Sequence, residues 1–385
     1  MREQYNREKE HEVIGTYPPI RGLEIKFAKG GGMPETPKVY RPIPRYENFH
    51  MLYEGKTPYW MVNTGWLFCD MNNFRPRQHP DNRANHQCID GGDFVDYEAQ
   101  GKVYRGWFDL PLEWEPDSMG ATVRPGSPTI EDMNDWHDLK MPNLDDIDFG
   151  EMAEMNKEYL ATDKANQLGI QFGLWERMMN LMGVENAAVA LLDEDQEDAI
   201  HEFLDVLSDI YVEYIDRISK IGRIDAVFFH DDWGTQNNPF FSLDVCKQFF
   251  VPPMKKIVTC CHERGIVFEH HCCGNAEPLI PAMIECGTDF WYPQPAINDL
   301  DRMIETYWDE HITFAVTIPV IPKGSTEEQV REQARQFVEK YKDKRVSFCR
   351  NNSLLNNPDH DPSMYPVFED AVYEFSRIAY QDVED

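Results

Sequence analysis

The sequence contains no run of 18 apolar residues, so it offers no segment long enough to cross a bilayer as a helix. Basic residues are scarce: 37 Lys and Arg stand against 68 Asp and Glu, a formal net charge of −31. A chain so short of cations cannot neutralise a phosphate backbone, which excludes sequence-independent nucleic-acid binding, and an anionic membrane surface repels it. The acidity serves solubility or, more sharply, a surface that selects a basic partner. The opening stretch "MREQYNREKEHEV" lacks the apolar core of a signal peptide, which points to the cytoplasm. Internal repeats and low-complexity tracts are absent, and no G-x-G-x-x-G follows an apolar run, so dinucleotide binding has no support. Cysteines number nine, an odd count in a large chain, which disfavours a disulfide framework and favours thiols or metal ligands. None of them forms the paired C-x-x-C knuckles of a structural zinc module.

Hydrophobic residues make up 42 % of the 385 positions, enough to pack a large core and to set disorder aside. Residues 1–45 are rich in Pro, Gly and charge ("GTYPPIRG", "KGGGMPETP") and read as an extended arm ahead of a domain over 46–385. "TPYWMVNTGW" reads as β-rich, residues 107–128 as a hairpin, and "DFGEMAEMNKEYL" as a short helix. Further on, strands alternate with helices. The strands are "GIQFGLWE", "AVFFHDDWG", "IVFEHHCCG", "DFWYPQP", "ITFAVTIP" and "VSFCRNNS". The longest helix falls near 195–221, where Ile200, Phe203, Leu204, Leu207, Tyr211, Tyr214, Ile215 and Ile218 repeat with helical period. A further helix opens with Ser325 and Glu328 at capping-box spacing. Seven or eight such βα units predict a parallel sheet closed as a (β/α)8 TIM barrel, with an open doubly wound sheet as the alternative.

In a closed barrel the chemistry collects where strands end and βα loops begin. The polar residues at those points are Glu176, then His230, Asp231, Asp232 and Trp233, then Glu269, His271 and Cys273, then Tyr292 and Gln294, and last Cys349, Arg350, Asn351 and Asn352. The richest stretch is "EHHCCG", residues 269–274. Side chains on a strand alternate faces, so Glu269, His271 and Cys273 share one side and His270 and Cys272 the other. The first set is assigned to the barrel interior; the opposite phase is the alternative. An imidazole and a thiolate two residues apart suit Zn²⁺, and Cys349, at the end of a later strand, is the best third ligand. Three protein ligands with one open position make a catalytic rather than a structural zinc site. The competing reading is a core histidine beside small buried cysteines. Cys260, Cys261 and Cys286 read as helix packing. Asp231 and Asp232 are candidates for acid–base work, a metal shell or a helix cap. Trp233 and Tyr292, with Asn351 and Glu176, are candidate substrate contacts, although aromatics at strand ends also serve as core.

The segment "HDDWGTQNNPFFSLDVCKQFFVPPMKKIV…GIVFEHHCCGNAEPLIPAMIECGTDFW" resembles the uroporphyrinogen decarboxylase superfamily, in particular its corrinoid-dependent methyltransferase branch. "EGKTPYW", "LWERMMNLMGVE" and "RPGSP" fit it as well, and the likeness covers about residues 46–380. That branch is marked by H-x-C followed some 75 residues later by C, and here His271, Cys273 and, after 75 intervening residues, Cys349 match. The resemblance implies a (β/α)8 barrel, a Zn²⁺ held by those three residues, and methyl transfer to or from the cobalt of a corrinoid carried on a separate small protein. It leaves two directions open: demethylation of a methoxylated aromatic, which is favoured, or methylation of a thiol. In the demethylating direction, Asp232 or Glu269 would donate a proton or complete the metal shell. The metal-free decarboxylase branch carries an Arg-rich "RQAGR"-type motif, which "FRPRQHPDNRAN" does not match.

Overall fold

The computed structural model describes residues 2–18, 36–64, 70–74, 103–115, 120–124, 126, 128–350 and 357–384. Its centre is a ring of parallel strands: β1 (Met71–Phe74), β2 (Ala165–Ile170), β3 (Ala226–His230), β4 (Val267–His271), β5 (Phe290–Trp291), β6 (Thr313–Thr317) and β7 (Val346–Cys349). Each pairs with its neighbour in chain order. Residues 62–64 fill the eighth position. The Phe348 amide donates to Val62 O and the Thr64 amide to Phe348 O, each at 2.9 Å. The amide of Asp70, at the foot of β1, donates to Asn63 O at 3.2 Å. The first edge is thereby joined to the last, and the fold is the expected (β/α)8 barrel rather than an open sheet. No described helix is long and apolar enough to cross a membrane.

Strand alternation sorts the core into two compartments. Val62, Met71, Ala165, Ala226, Val267, Phe290, Ala315 and Cys349, at most one from each stave, pack together inside the ring. Phe49, Leu52 and Tyr53 of helix α1 (Arg45–Tyr53) close them off at the amino ends of the strands. Side chains of the opposite phase, such as Leu168, Phe229, Phe268 and Phe314, meet the surrounding helices. Helix α2 (Leu174–Met182) follows β2, and α3 (Glu197–Ser219) buries the face read from its period. Helix α4 (Val251–His262) begins just after a seven-residue helix, with Pro252 and Pro253 in its first turn, where a missing amide costs nothing. Helices α5 (Glu327–Tyr341) and α6 (Tyr365–Tyr380) are the last two of the outer layer.

Three local expectations shift. The strand placed at "GIQFGLWE" lies earlier, at Ala165–Ile170, and Glu176 belongs to the first turn of α2. The polar residues of β2 disguised it. Asn166 is buried and bonded to Leu160 O and Arg223 O, and Gln167 is buried and bonded to Glu269. The capping box of α5 is Thr326 with Gln329, one residue beyond the Ser325–Glu328 pair. The hairpin near 107–128 is part of a three-stranded antiparallel sheet of Val103–Arg105, Pro111–Glu115 and Gly120–Val123.

The described part of the arm is docked, not loose. Val13–Thr16 pairs with Pro37–Val39, and the short helix Arg7–Glu10 lies against α6. Glu10 and Arg377 form an ion pair at 3.2 Å with 1 % and 0 % of their side chains exposed. The Tyr373 hydroxyl donates to the same carboxylate. Arg2 donates to Pro58 O and Thr57 O at 2.7 and 2.6 Å, tying the chain start to the barrel body.

Candidate active site

The carboxyl ends of β3 and β4 lie side by side, with His230 paired to His271. The ladder continues one step past the strands, where the Asp231 amide donates to His271 O at 2.9 Å. Beyond it the Asp232 carboxylate accepts the Cys273 amide at 2.7 Å, so the two βα loops leave the barrel locked together. A close backbone crossing completes the lock. Gly274 has φ +77°, and a Cβ there would lie 2.4 Å from the carbonyl carbon and oxygen of Gly234. Gly274→Ala combines a left-handed backbone with a steric overlap and is expected to destabilise the fold by about 3 kcal/mol or more. Urea unfolding of the variant would measure it, with Gly265→Ala as a comparison whose φ is also positive but whose surroundings are open.

Within this frame Glu269, His271 and Cys273 point into the barrel mouth. Cys273 Sγ lies 3.6 Å from His271 Nε2. On the other side of the ring, Glu269 Oε1 lies 3.9 Å from Nδ1, and Gln167 donates to the other oxygen of that carboxylate. Phe228 stacks on the His271 ring at 4.5 Å and His230 at 4.8 Å, which fixes the imidazole plane. His230 Nδ1 meets Glu176 Oε2 at 2.6 Å. Burial pushes the Glu176 carboxyl up, and the neighbouring imidazole opposes the shift. Burial and then the Asp232 carboxylate push the Cys273 thiol up.

His270 and Cys272 point the other way. His270 is fully buried against Trp233, bonds to Asp231 O at 2.9 Å, and is held neutral by burial, which pulls its pKa down to about 4. The Cys272 sulfur accepts the Trp233 amide at 3.1 Å. Trp233 packs on Phe241 and Phe250 behind the strands with no exposed surface, so it belongs to the core and not to a substrate pocket. Asp231 is likewise fully buried. Its carboxylate accepts Trp233 Nε1 and the Glu176 amide, each at 2.9 Å. It thus caps α2, whose own N-cap is Gly173 and has no side chain to do so. Burial and then Glu176 push Asp231 up to about 7. These contacts make it a positioning residue for Glu176.

Tyr292 is half-buried on the interior wall, its hydroxyl donating to Arg350 O at 2.9 Å. Burial, then the adjoining Cys349 thiol, pushes its pKa up. Cys349 is buried at the end of β7 on the interior side, and its thiol donates to Val316 O at 3.6 Å. Asn351, and with it Asn352, Cys69 and Cys88, lies outside the described residues. Among the described residues, the donor groups whose ligand atoms all lie within 4.8 Å of one another at this mouth are His230, Asp232 and His271; the expected trio of His271, Cys273 and Cys349 does not meet that distance, because the Cys349 thiol is turned to Val316 O. From sequence, His230 stands at its strand end with no assigned role, and Gln167 is not singled out. Period two along β3, in phase with Ala226 and Phe228, would have brought His230 in.

The chain's middle and end, residues 110–375, match the family model described as Uroporphyrinogen decarboxylase (URO-D). The chain belongs to this family. Among solved structures, a methyltransferase from Methanosarcina mazei matches this URO-D barrel with a TM-score of 0.55 at 13 % identity, over 88 % of this chain and 99 % of that one. At that identity the match speaks for the fold. Two further structures align more loosely. One is a 2,3-dimethylmalate lyase of the PEP mutase/isocitrate lyase superfamily, with a TM-score of 0.26 and 10 % identity, over 63 % of this chain and 70 % of that one. The other is a sugar phosphate isomerase/epimerase from Parabacteroides distasonis, with a TM-score of 0.30 and 10 % identity, over 60 % and 77 %. No curated protein matches the chain.

Proposed function

We propose that this URO-D family member is a zinc-dependent methyltransferase that moves a methyl group from a small methoxylated aromatic to the cobalt of a separate corrinoid protein. The observation that supports it most is the 3.6 Å between His271 Nε2 and Cys273 Sγ. Two ligands of one tetrahedral zinc, with Zn–N near 2.0 Å and Zn–S near 2.3 Å, stand about 3.6 Å apart. His271, Cys273 and Cys349 are the proposed ligands, with one position left open; Cys349 would turn from Val316 O to join the other two. The donor set fits a borderline divalent ion. The Methanosarcina methyltransferase is a structural neighbour in keeping with this reading.

When bound, zinc would supply Lewis acidity to the ether oxygen of the substrate. The chain's own residues do the rest. The stacked rings of Phe228 and His230 hold His271 with Nε2 toward Cys273, and Glu269 lies 3.9 Å from Nδ1. Asp232 holds the Cys273 backbone, and Asp231 holds the start of α2 so that Glu176 reaches His230. As the methyl leaves, the C–O bond breaks, the electron pair stays on oxygen, and a proton must be delivered there. The Glu176–His230 pair and Asp232 are the residues proposed to supply it. Tyr292 offers an aromatic wall on the Cys349 side. The barrel mouth is the face a corrinoid protein would have to cover, because in-line transfer requires the cobalt to reach the methyl carbon.

The test mixes the purified protein with a Co(I) corrinoid protein and panels of methoxyaromatics, alcohols and thiols, following the cobalt absorption spectrum. Cobalt methylation by a methoxyaromatic is expected. Demethylation of the corrinoid by a thiol would select the opposite direction, and no change with any of the three panels would overturn the methyltransferase reading.

A further inference from the structure

The amino ends of the strands carry a second cluster of donors. Asp289, the residue before β5, is 4 % exposed. Its Oδ2 accepts the Phe268 amide at 2.7 Å and lies 2.8 Å from Nε2 of His262, the last residue of α4. Its Oδ1 bonds to Nε2 of His311, two residues before β6. The two imidazoles are 41 % and 48 % exposed, so the cluster has a rigid, buried carboxylate and an open, solvent-facing side. The three ligand atoms all lie within 4.8 Å of one another.

We propose that His262, Asp289 and His311 form a second divalent-metal site, for Zn²⁺ or a similar borderline ion, on the face of the barrel opposite the candidate active site. Two imidazole nitrogens and one carboxylate oxygen make a donor set that first-row divalent ions favour, and the exposed side leaves room for water to fill the remaining positions. The carboxylate needs little reorganisation, because the Phe268 amide already fixes its direction. Each Nε2 now faces that carboxylate; binding requires only that the proton leave Nε2 for Nδ1 or for solvent. Arg345 interacts with the carboxylate through charge and opposes the ion, while the net charge of −31 favours it. The site stands three residues upstream of His271 along β4, roughly 10 Å by strand rise, so the two ions would be separate. An ion here ties the end of α4 to the starts of β5 and β6, so its effect is on stability and not on the reaction.

The experiment counts zinc in full-length protein stripped with a chelator and then dialysed against zinc chloride. His311→Ala and His262→Ala are each expected to bind one equivalent fewer than the parent and to keep its methyl-transfer rate. Cys273→Ala is expected to retain the one equivalent that Cys273→Ala/His311→Ala loses, and its melting temperature should rise by several degrees with zinc only while His311 is present. That pair reads the second site whatever becomes of the first. An unchanged zinc count in both histidine variants, or no zinc-dependent rise in Cys273→Ala, would overturn the proposal. Both histidines are half-exposed at element ends, so the substitutions leave the core untouched.

Discussion

Cys273→Ala is expected to lose the active-site metal and to slow methyl transfer about 100- to 1,000-fold, the size of effect seen when one electrostatic stabiliser of a transition state is removed. The fold should survive. The hydrogen bond that anchors this loop to Asp232 comes from the backbone amide, which alanine keeps, and the side chain is half-buried in the mouth rather than packed in the core. Zinc content, the rate with the corrinoid protein and the melting temperature separate the three effects. The neighbouring Cys272→Ala is the contrast. It lies one residue away on the helix side of the strand, receives the Trp233 amide and should lower stability without changing the active-site metal or the rate. Full methyl transfer by metal-free Cys273→Ala would overturn the role given to zinc.

Glu10→Gln is expected to cost about 3–5 kcal/mol, because it removes the charge that faces Arg377 in a place neither can be hydrated. The guanidinium would be left charged in the interior, with Glu3 O among its remaining partners. Denaturant unfolding would show a lowered midpoint, and limited proteolysis would show the Arg7–Glu10 helix released from α6. The double variant Glu10→Leu/Arg377→Met should recover most of the loss, since a well-packed apolar pair replaces a buried ion pair at little cost. A midpoint unchanged in Glu10→Gln would mean that this buried ion pair contributes nothing to stability.

Much of the site is visible along one strand. The period-two alternation of "EHHCCG" follows from backbone geometry alone, and it separates His271 and Cys273, which face each other, from His270 and Cys272, which lie against Trp233. Residues whose role depends on another element were harder to read. Glu176 looks like a strand end in the sequence and is a helix residue, placed by the Asp231 carboxylate from a different strand. Trp233 directly follows the polar run His230–Asp232 and is nevertheless core. Gln167 looks like a break in an apolar pattern and is an interior residue satisfied by Glu269.

The sequence by itself determined the alternation of strands and helices, the buried face of α3, and which side chains of β4 share a face, because these depend on dihedral geometry and local periodicity. Tertiary structure alone decided that residues 62–64 close the ring against β7, that His230 stacks on His271, and that His262, Asp289 and His311 converge from elements far apart in the chain. Register between strands and the closure of a barrel are set by packing over the whole chain, and no local pattern encodes them.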